Sequence, residues 1–166
     1  MQQTSTSVAA DLISSRDQYL CFSLGDQEYC VDIQRVQEIK GWDRITRVPY
    51  TEPHILGVIN LRGAIVPVID LRLRFGLPAI PPEGAVIVVV TVPGERGLRT
   101  VGILVDAVAD VYDVPANQVL AAPEMLGTIE SILVNGMTER NGTLLLLIDI
   151  ELLIASSINH SEGMAA

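Results

Sequence analysis

Aromatic side chains make up only 4% of this 166-residue chain, and cysteine and histidine occur twice each. A surface that stacks nucleic-acid bases needs rings to stack them on, and here they are scarce. Basic charge is also short, with 11 Lys and Arg against 20 Asp and Glu and a net charge of −9. Such a balance repels phosphate backbones, so no nucleic-acid partner is expected. No apolar run reaches the length of about 18 residues that a membrane span requires, so no membrane insertion is expected. The opening MQQTSTS lacks the basic and apolar regions of a secretory signal. A reducing, cytoplasmic setting is therefore the expectation. In that setting Cys21 and Cys30 are expected to be free thiols, although a Gly25-Asp26 hairpin turn would place them opposite each other.

The usual signs of catalysis are missing as well. Two cysteines and two distant histidines, His54 and His160, fit no zinc-ligand spacing. Gly94-x-x-Gly97 lacks the lysine and the following helix of a phosphate-cradling loop. There is no Gly-x-Ser-x-Gly elbow. Both histidines are expected at the surface, facing water. Paired carboxylates such as Asp106 and Asp110 leave acid–base chemistry as a formal route, while Asp70 and Asp149 read as helix caps. No enzyme, cofactor or metal site is expected. The alternatives are a small β-barrel hydrolase using a carboxylate pair and a nucleic-acid-binding β-barrel.

What the chain has in quantity is short apolar runs, rich in Val and Ile, within a 49% hydrophobic composition. Branching at Cβ stiffens χ1 and suits such runs to strands. Residues 1–16 are polar and small and predict a flexible tail. A first hairpin is predicted over 18–24 and 27–33, and a short strand over 36–39. Val31, Ile33, Val36 and Ile39 keep no single two-residue period. That predicts a bend near Gln34-Arg35 and apolar side chains turned away from the barrel core, either into a seam or toward a partner. Runs 57–61 and 64–69 flank a turn from Asn60 to Gly63, read as a type I turn that displays Arg62. Asp70 then caps a short helix over 71–75. Pro78, Pro81, Pro82 and Gly84 mark a linker. Residues 85–92 read as a strand covered on both faces, paired with 99–106. Strands follow over 108–114, 132–138 and 143–148. Asp149 caps a helix over 150–156, and 157–166 reads as a second flexible tail.

Two halves of the chain align. At an offset of 74, Val31-Asp32 falls on Val105-Asp106 and Pro49 on Pro123; at 79, Gly57 falls on Gly136, Gly63 on Gly142 and Asp70 on Asp149. A repeat of this kind predicts two curled sheets of about five strands, one over 17–80 and one over 85–156, with terminal segments free to cross between them. Arg62 aligns with Asn141, which makes the same turn without the charge. The barrel therefore has no need of an arginine there.

Four segments carry a family likeness: Leu24-Gly25-Asp26-Gln27-Glu28-Tyr29, Val36-Gln37-Glu38-Ile39, Gly57-Val58-Ile59-Asn60-Leu61-Arg62-Gly63 and Val66-Pro67-Val68-Ile69-Asp70-Leu71. With Val101 to Asp106 and Ala121-Ala122-Pro123-Glu124, they resemble the CheW family of bacterial chemotaxis coupling proteins, in one order from Tyr19 to Ile154. The resemblance implies a mainly β fold of two SH3-like five-stranded β-barrels packed on a shared apolar seam, with short helices after Asp70 and Asp149. It implies a non-catalytic adaptor that joins the helical cytoplasmic tips of methyl-accepting chemoreceptors to the histidine kinase CheA. Ile33, Val36, Glu38, Arg62 and Val108 are the receptor or partner contacts it implies. Ile39 and the loop residues Gly41, Asp43 and Arg44 are the implied kinase-facing edge. Gly57 matches a position where bulk crowds a neighbouring backbone, and Gly63, Asp70, Gly142 and Asp149 are structural. The family also includes domains fused to a kinase or a receiver. Neither sequence occurs before Ala166, so a stand-alone coupling protein is the expectation.

Overall fold

The structure is a computed structural model and describes residues 18–42, 45–49, 52–78, 83–121 and 133–165. The tail 1–16, the centre of the linker, Asp43, Arg44 and Pro123 lie outside the described residues. Among the described residues ten strands form two curled five-stranded sheets, the expected pair of SH3-like barrels. The strands are β1 (Gln18–Leu24), β2 (Gln27–Asp32), β3 (Val36–Gly41), β4 (Ile55–Leu61) and β5 (Ala64–Asp70). They continue with β6 (Val86–Gly94), β7 (Gly97–Val105), β8 (Ala107–Asp113), β9 (Val134–Arg140) and β10 (Thr143–Ile148). Helix α1 (Leu71–Arg74) follows β5, and α2 (Ile150–Ala165) closes the chain.

Barrel A has the order β8-β1-β2-β10-β9 and barrel B the order β3-β6-β7-β5-β4. Each half of the chain lends its first hairpin to the other half's barrel. The expected division at 17–80 and 85–156 therefore follows the repeat but not the sheets, because β1 and β2 pair with second-half strands and β6 and β7 with first-half strands. The two orders are the same when each strand is matched to its repeat partner. Both alignment offsets also have a structural counterpart. Thr46 bridges Val58 in barrel B and Leu120 bridges Met137 in barrel A, so the first members differ by 74 and the second by 79.

Alternation along the strands explains the long apolar runs. Val88, Val90 and Val92 of β6 join Leu20, Phe22, Tyr29, Val31, Ile69, Val101 and Ile103 in one core between the barrels. The intervening Ile87 and Val89 enter barrel B beside Ile59, Val66, Val68 and Leu104. Barrel A has its own small interior of Cys21, Cys30, Leu145 and Leu147. Central strands are thus apolar on both faces because each face meets a different core. Helix α2 seals the seam with Ile150, Leu153, Ile154 and Ile158.

Four expectations need correction. Cys21 and Cys30 are register partners across β1 and β2 and are joined in a disulfide, not held as free thiols. The turn at 60–63 is a two-residue hairpin turn in which Arg62 (φ 52°) and Gly63 (φ 88°) are both left-handed, as are Asn141 and Gly142. This is the type I′ pattern, whose twist matches that of the flanking strands; Asn60 Oδ1 accepts from the Gly63 N–H at 2.9 Å. Helix α2 runs past 156 to Ala165, through the stretch read as a tail. Buried Ser157 holds it in place. His54 Nε2 lies 3.0 Å from the Ser157 carbonyl oxygen, and Arg74 Nε donates to Ser157 Oγ at 3.1 Å. His54 therefore packs against helix α2 instead of standing free in water.

Both predicted caps are present. Asp70 Oδ1 accepts from the Arg72 and Leu73 N–H groups at 3.0 and 3.3 Å, and Asp149 Oδ1 from Leu152 N–H at 3.0 Å. Asp70 is 1% exposed, and its Oδ2 has no hydrogen-bond partner. Burial raises its pKa above the ordinary value of 3.8, outweighing the lowering by the Leu73 and Arg72 N–H groups and the Arg72 charge. A raised folded-state value means that the native state binds this proton more tightly than the unfolded chain does. Its stabilising contribution is full below the unfolded value and is lost as pH rises through the folded one. Urea titrations of the wild type and Asp70→Asn from pH 7 down to 4 check this. The stability difference is expected to move in favour of the wild type as pH falls; a flat or opposite trend contradicts the assignment.

Candidate partner-binding surface

The broken period at 31–39 has two structural causes. A 3-10 turn over Ile33–Arg35, capped by Asp32 Oδ1 on the Gln34 N–H, carries the chain from barrel A to barrel B. A register shift then falls between Val36 and Glu38. Val36 stands opposite Val90 on the seam face, Glu38 opposite Val89 on the interior face, and Ile39 opposite Val88. One extra residue in a strand reverses which face the following side chains take.

The candidate contacts accordingly divide into two groups. Ile33, Val36 and Val108 are half-buried around the seam core. Glu38 and Arg62 meet instead at the mouth of barrel B, with Arg62 Nη1 3.1 Å from Glu38 Oε2. Lys40 Nζ lies 3.2 Å from Glu38 Oε1. Because β3 and β4 are opposite edges of the sheet, the pair ties one edge to the hairpin of the other and helps close the barrel. The Arg62 side chain stays 72% exposed while that of Glu38 is 19% exposed. An exposed ion pair of this kind is worth about 0–1 kcal/mol.

Ile39 is 45% exposed and Gly41 lies at the exposed end of β3. In β8, Val108 stands opposite Phe22 and Val111 opposite Leu20, again three residues apart across a register shift. Val111 is 48% exposed, so each barrel shows one apolar side chain at the same point of its edge strand. The sequence reading missed Ile65 (66% exposed) and Leu98 (77% exposed). Both sit in Val- and Leu-rich strands that look like core, and only the end of the sheet they occupy leaves them outside.

The structural residues are placed as follows. A Cβ on Gly57 would lie 2.3 Å from the Thr46 carbonyl oxygen, and one on Gly136 2.9 Å from that of Leu120. Both oxygens of the Asp106 carboxylate are engaged: Oδ1 pairs with Arg72 Nη1 and Oδ2 accepts from Gly25 N–H at 2.8 Å. Asp110 stands exposed on β8. Among the described residues no group of three or more His, Cys, Asp or Glu is placed to hold a metal ion. Among the described residues no helix is long and apolar enough to cross a membrane.

The CheW-like domain model matches residues 18–157, nearly the whole described chain. The chain belongs to the CheW family. It is 42% identical over 139 residues to the chemotaxis protein CheW of Klebsiella aerogenes, covering 84% of this chain and 82% of that one. It is 34% identical over 146 residues to CheW of Rhizobium meliloti, covering 88% and 92%. The crystal structure of the scaffolding protein TtCheW from Thermoanaerobacter tengcongensis matches with a TM-score of 0.72 and 32% identity, over 81% of this chain and 85% of that one. CheW proteins are non-catalytic chemotaxis adaptors. That role agrees with a structure whose carboxylates serve as caps and cross-links and whose distinctive side chains lie at edges and tips.

Proposed function

We propose that this chain couples the cytoplasmic tips of chemoreceptors to the histidine kinase CheA, with Arg62 as a principal partner contact. Ile33, Val36 and Val108 form an apolar rim along the seam that suits one face of a receptor helix. Ile39 and Gly41 belong to the edge assigned to the kinase, together with Asp43 and Arg44 outside the described residues. The work of such an adaptor is done where the partners assemble, at receptor complexes on the cytoplasmic side of the membrane.

One observation carries the reading. Arg62 occupies a left-handed backbone position, φ 52°, that its counterpart fills with Asn141 at the same φ. Left-handed backbone costs a bulky L-residue roughly 1–2 kcal/mol, whereas Asn adopts it readily. A side chain kept at a local cost, largely exposed and weakly paired, points to a role outside the fold.

Arg62→Asn separates the two roles. The relieved turn offsets the lost ion pair, so stability is expected to stay within about 1 kcal/mol of the wild type. Affinity for a receptor cytoplasmic fragment or for the CheA regulatory domain is expected to fall at least tenfold, read by calorimetry. Unchanged affinity for both partners removes Arg62 from the interface.

A further inference from the structure

We infer that the β6–β7 hairpin is a docking arm for an acidic, amphipathic helix of a protein partner. The inference extends the Arg62 face and rests on the coupling reading only for the partner's identity. The repeat supplies an internal standard of length. The β1–β2 ladder has six rungs, from Tyr19 and Asp32 to Leu24 and Gln27. The equivalent β6–β7 ladder has nine, from Val86 and Val105 to Gly94 and Gly97. Two of the added rungs, Pro93–Leu98 and Gly94–Gly97, lengthen the hairpin at its tip, and residues 93–98 are all exposed.

The end of the arm is not a neutral turn. Pro93 and Leu98 are directly opposed, so they share one face, and Leu98 is 77% exposed. Thr91 and Thr100, then Val89 and Gly102, continue that face down into barrel B. Gln37 Oε1 accepts from Thr91 Oγ1 at 2.8 Å, so β3 lies along the same side. Strand β5 runs parallel to β7, with Val68 beside Gly102. Because the two strands run parallel, the Arg62-Gly63 turn before β5 and the Glu95-Arg96 turn before β7 lie toward the same end of the sheet. An apolar ledge of Pro93 and Leu98 therefore adjoins the mouth where Arg62 pairs with Glu38.

Charge selects the occupant. The chain as a whole carries −9, yet at this end Arg62, Lys40, Arg96 and Arg99 stand against Glu38 and Glu95, four cations to two carboxylates. A segment offering an apolar stripe beside carboxylates meets both the ledge and the cations; a basic segment is repelled. A helix presents such a stripe and border together at i, i+3 and i+4 spacing.

The test trims the arm by replacing Pro93–Leu98 with Asn-Gly, which keeps buried Val92 and restores a two-residue turn. Leu98→Asp and Arg96→Glu serve as point variants at exposed sites where folding is not at stake. Binding is read with two probes: a synthetic amphipathic helix with Glu bordering a Leu stripe, and a receptor cytoplasmic fragment. The trimmed protein and Leu98→Asp are expected to melt as the wild type does, to bind the Glu peptide at least tenfold more weakly and to lose affinity for the fragment. Wild-type affinity for the Glu peptide in the trimmed protein, no binding of that peptide by the wild type, or equal binding of a Lys-bordered peptide overturns the proposal. If the wild type binds neither receptor fragment nor kinase domain, the coupling reading falls, while the peptide titration still decides the arm.

Discussion

Gly57→Ala is expected to destabilise the fold by about 3 kcal/mol, and Gly136→Ala by about 1–2 kcal/mol. The two glycines occupy equivalent positions beside equivalent bridges, so the comparison isolates what each methyl group would strike. At Gly57 the new carbon falls 2.3 Å from the Thr46 oxygen and 2.9 Å from its carbonyl carbon. Both are backbone atoms, fixed by the Thr46–Val58 hydrogen bonds, each 2.8 Å. The segment must move, and the bridge weakens with it. At Gly136 the nearest atom is a Val119 methyl at 2.7 Å, which a rotamer change can displace, and the Leu120 oxygen lies farther off at 2.9 Å. For a chain of this size, each kcal/mol moves the melting temperature by roughly 2–4 °C. The Gly57 variant should therefore melt about 6–12 °C below the wild type and clearly below the Gly136 variant. The reverse order, read by calorimetry, contradicts this account of the crossing.

Much of this architecture is written locally and can be read locally. Val- and Ile-rich runs, glycines at turns and Asp70 and Asp149 before helices report on neighbours in sequence, and each falls where expected. The repeat was legible for the same reason, since equivalent turns need equivalent residues. Strand exchange was not. Whether the 18–32 hairpin joins the first or the second barrel depends on contacts more than 80 residues away, such as Tyr29 beside Leu146. The face taken by Glu38 was hidden by a single added residue in β3 that no composition signals. The length of α2 was hidden because Ser156 and Ser157 look like a helix end until Arg74 and His54 are set against them. Val36 and Arg62 were singled out by broken alternation and by repeat comparison. Neither signal reveals that one lies on the seam and the other at a barrel mouth.

The exchange of hairpins raises the question of what locks the two barrels in place beyond their shared core, and Arg72 with Asp106 gives part of the answer. Asp106 sits at the crossover from β7 in barrel B to β8 in barrel A. Its N–H donates to Ser23 O at 3.0 Å and its Oδ2 accepts from Gly25 N–H, both in the β1–β2 hairpin of barrel A. Its Oδ1 pairs with Arg72 of α1, whose Nε donates to Pro78 O at 3.0 Å. One carboxylate thus joins a turn of barrel A to the helix that follows barrel B. Both side chains are only 11% exposed, so the pair is poorly screened. Removing one member strands the other charge away from water, at about 3–5 kcal/mol, whereas a solvent-exposed pair would cost under about 1 kcal/mol. Arg72→Met and Asp106→Asn are each expected to fall in the higher range, and the double variant to cost less than their sum by about 1–3 kcal/mol. Additive single costs in urea unfolding would mean that the two residues act separately. A cost below 1 kcal/mol for Arg72→Met would mean that the apolar seam alone holds the barrels together.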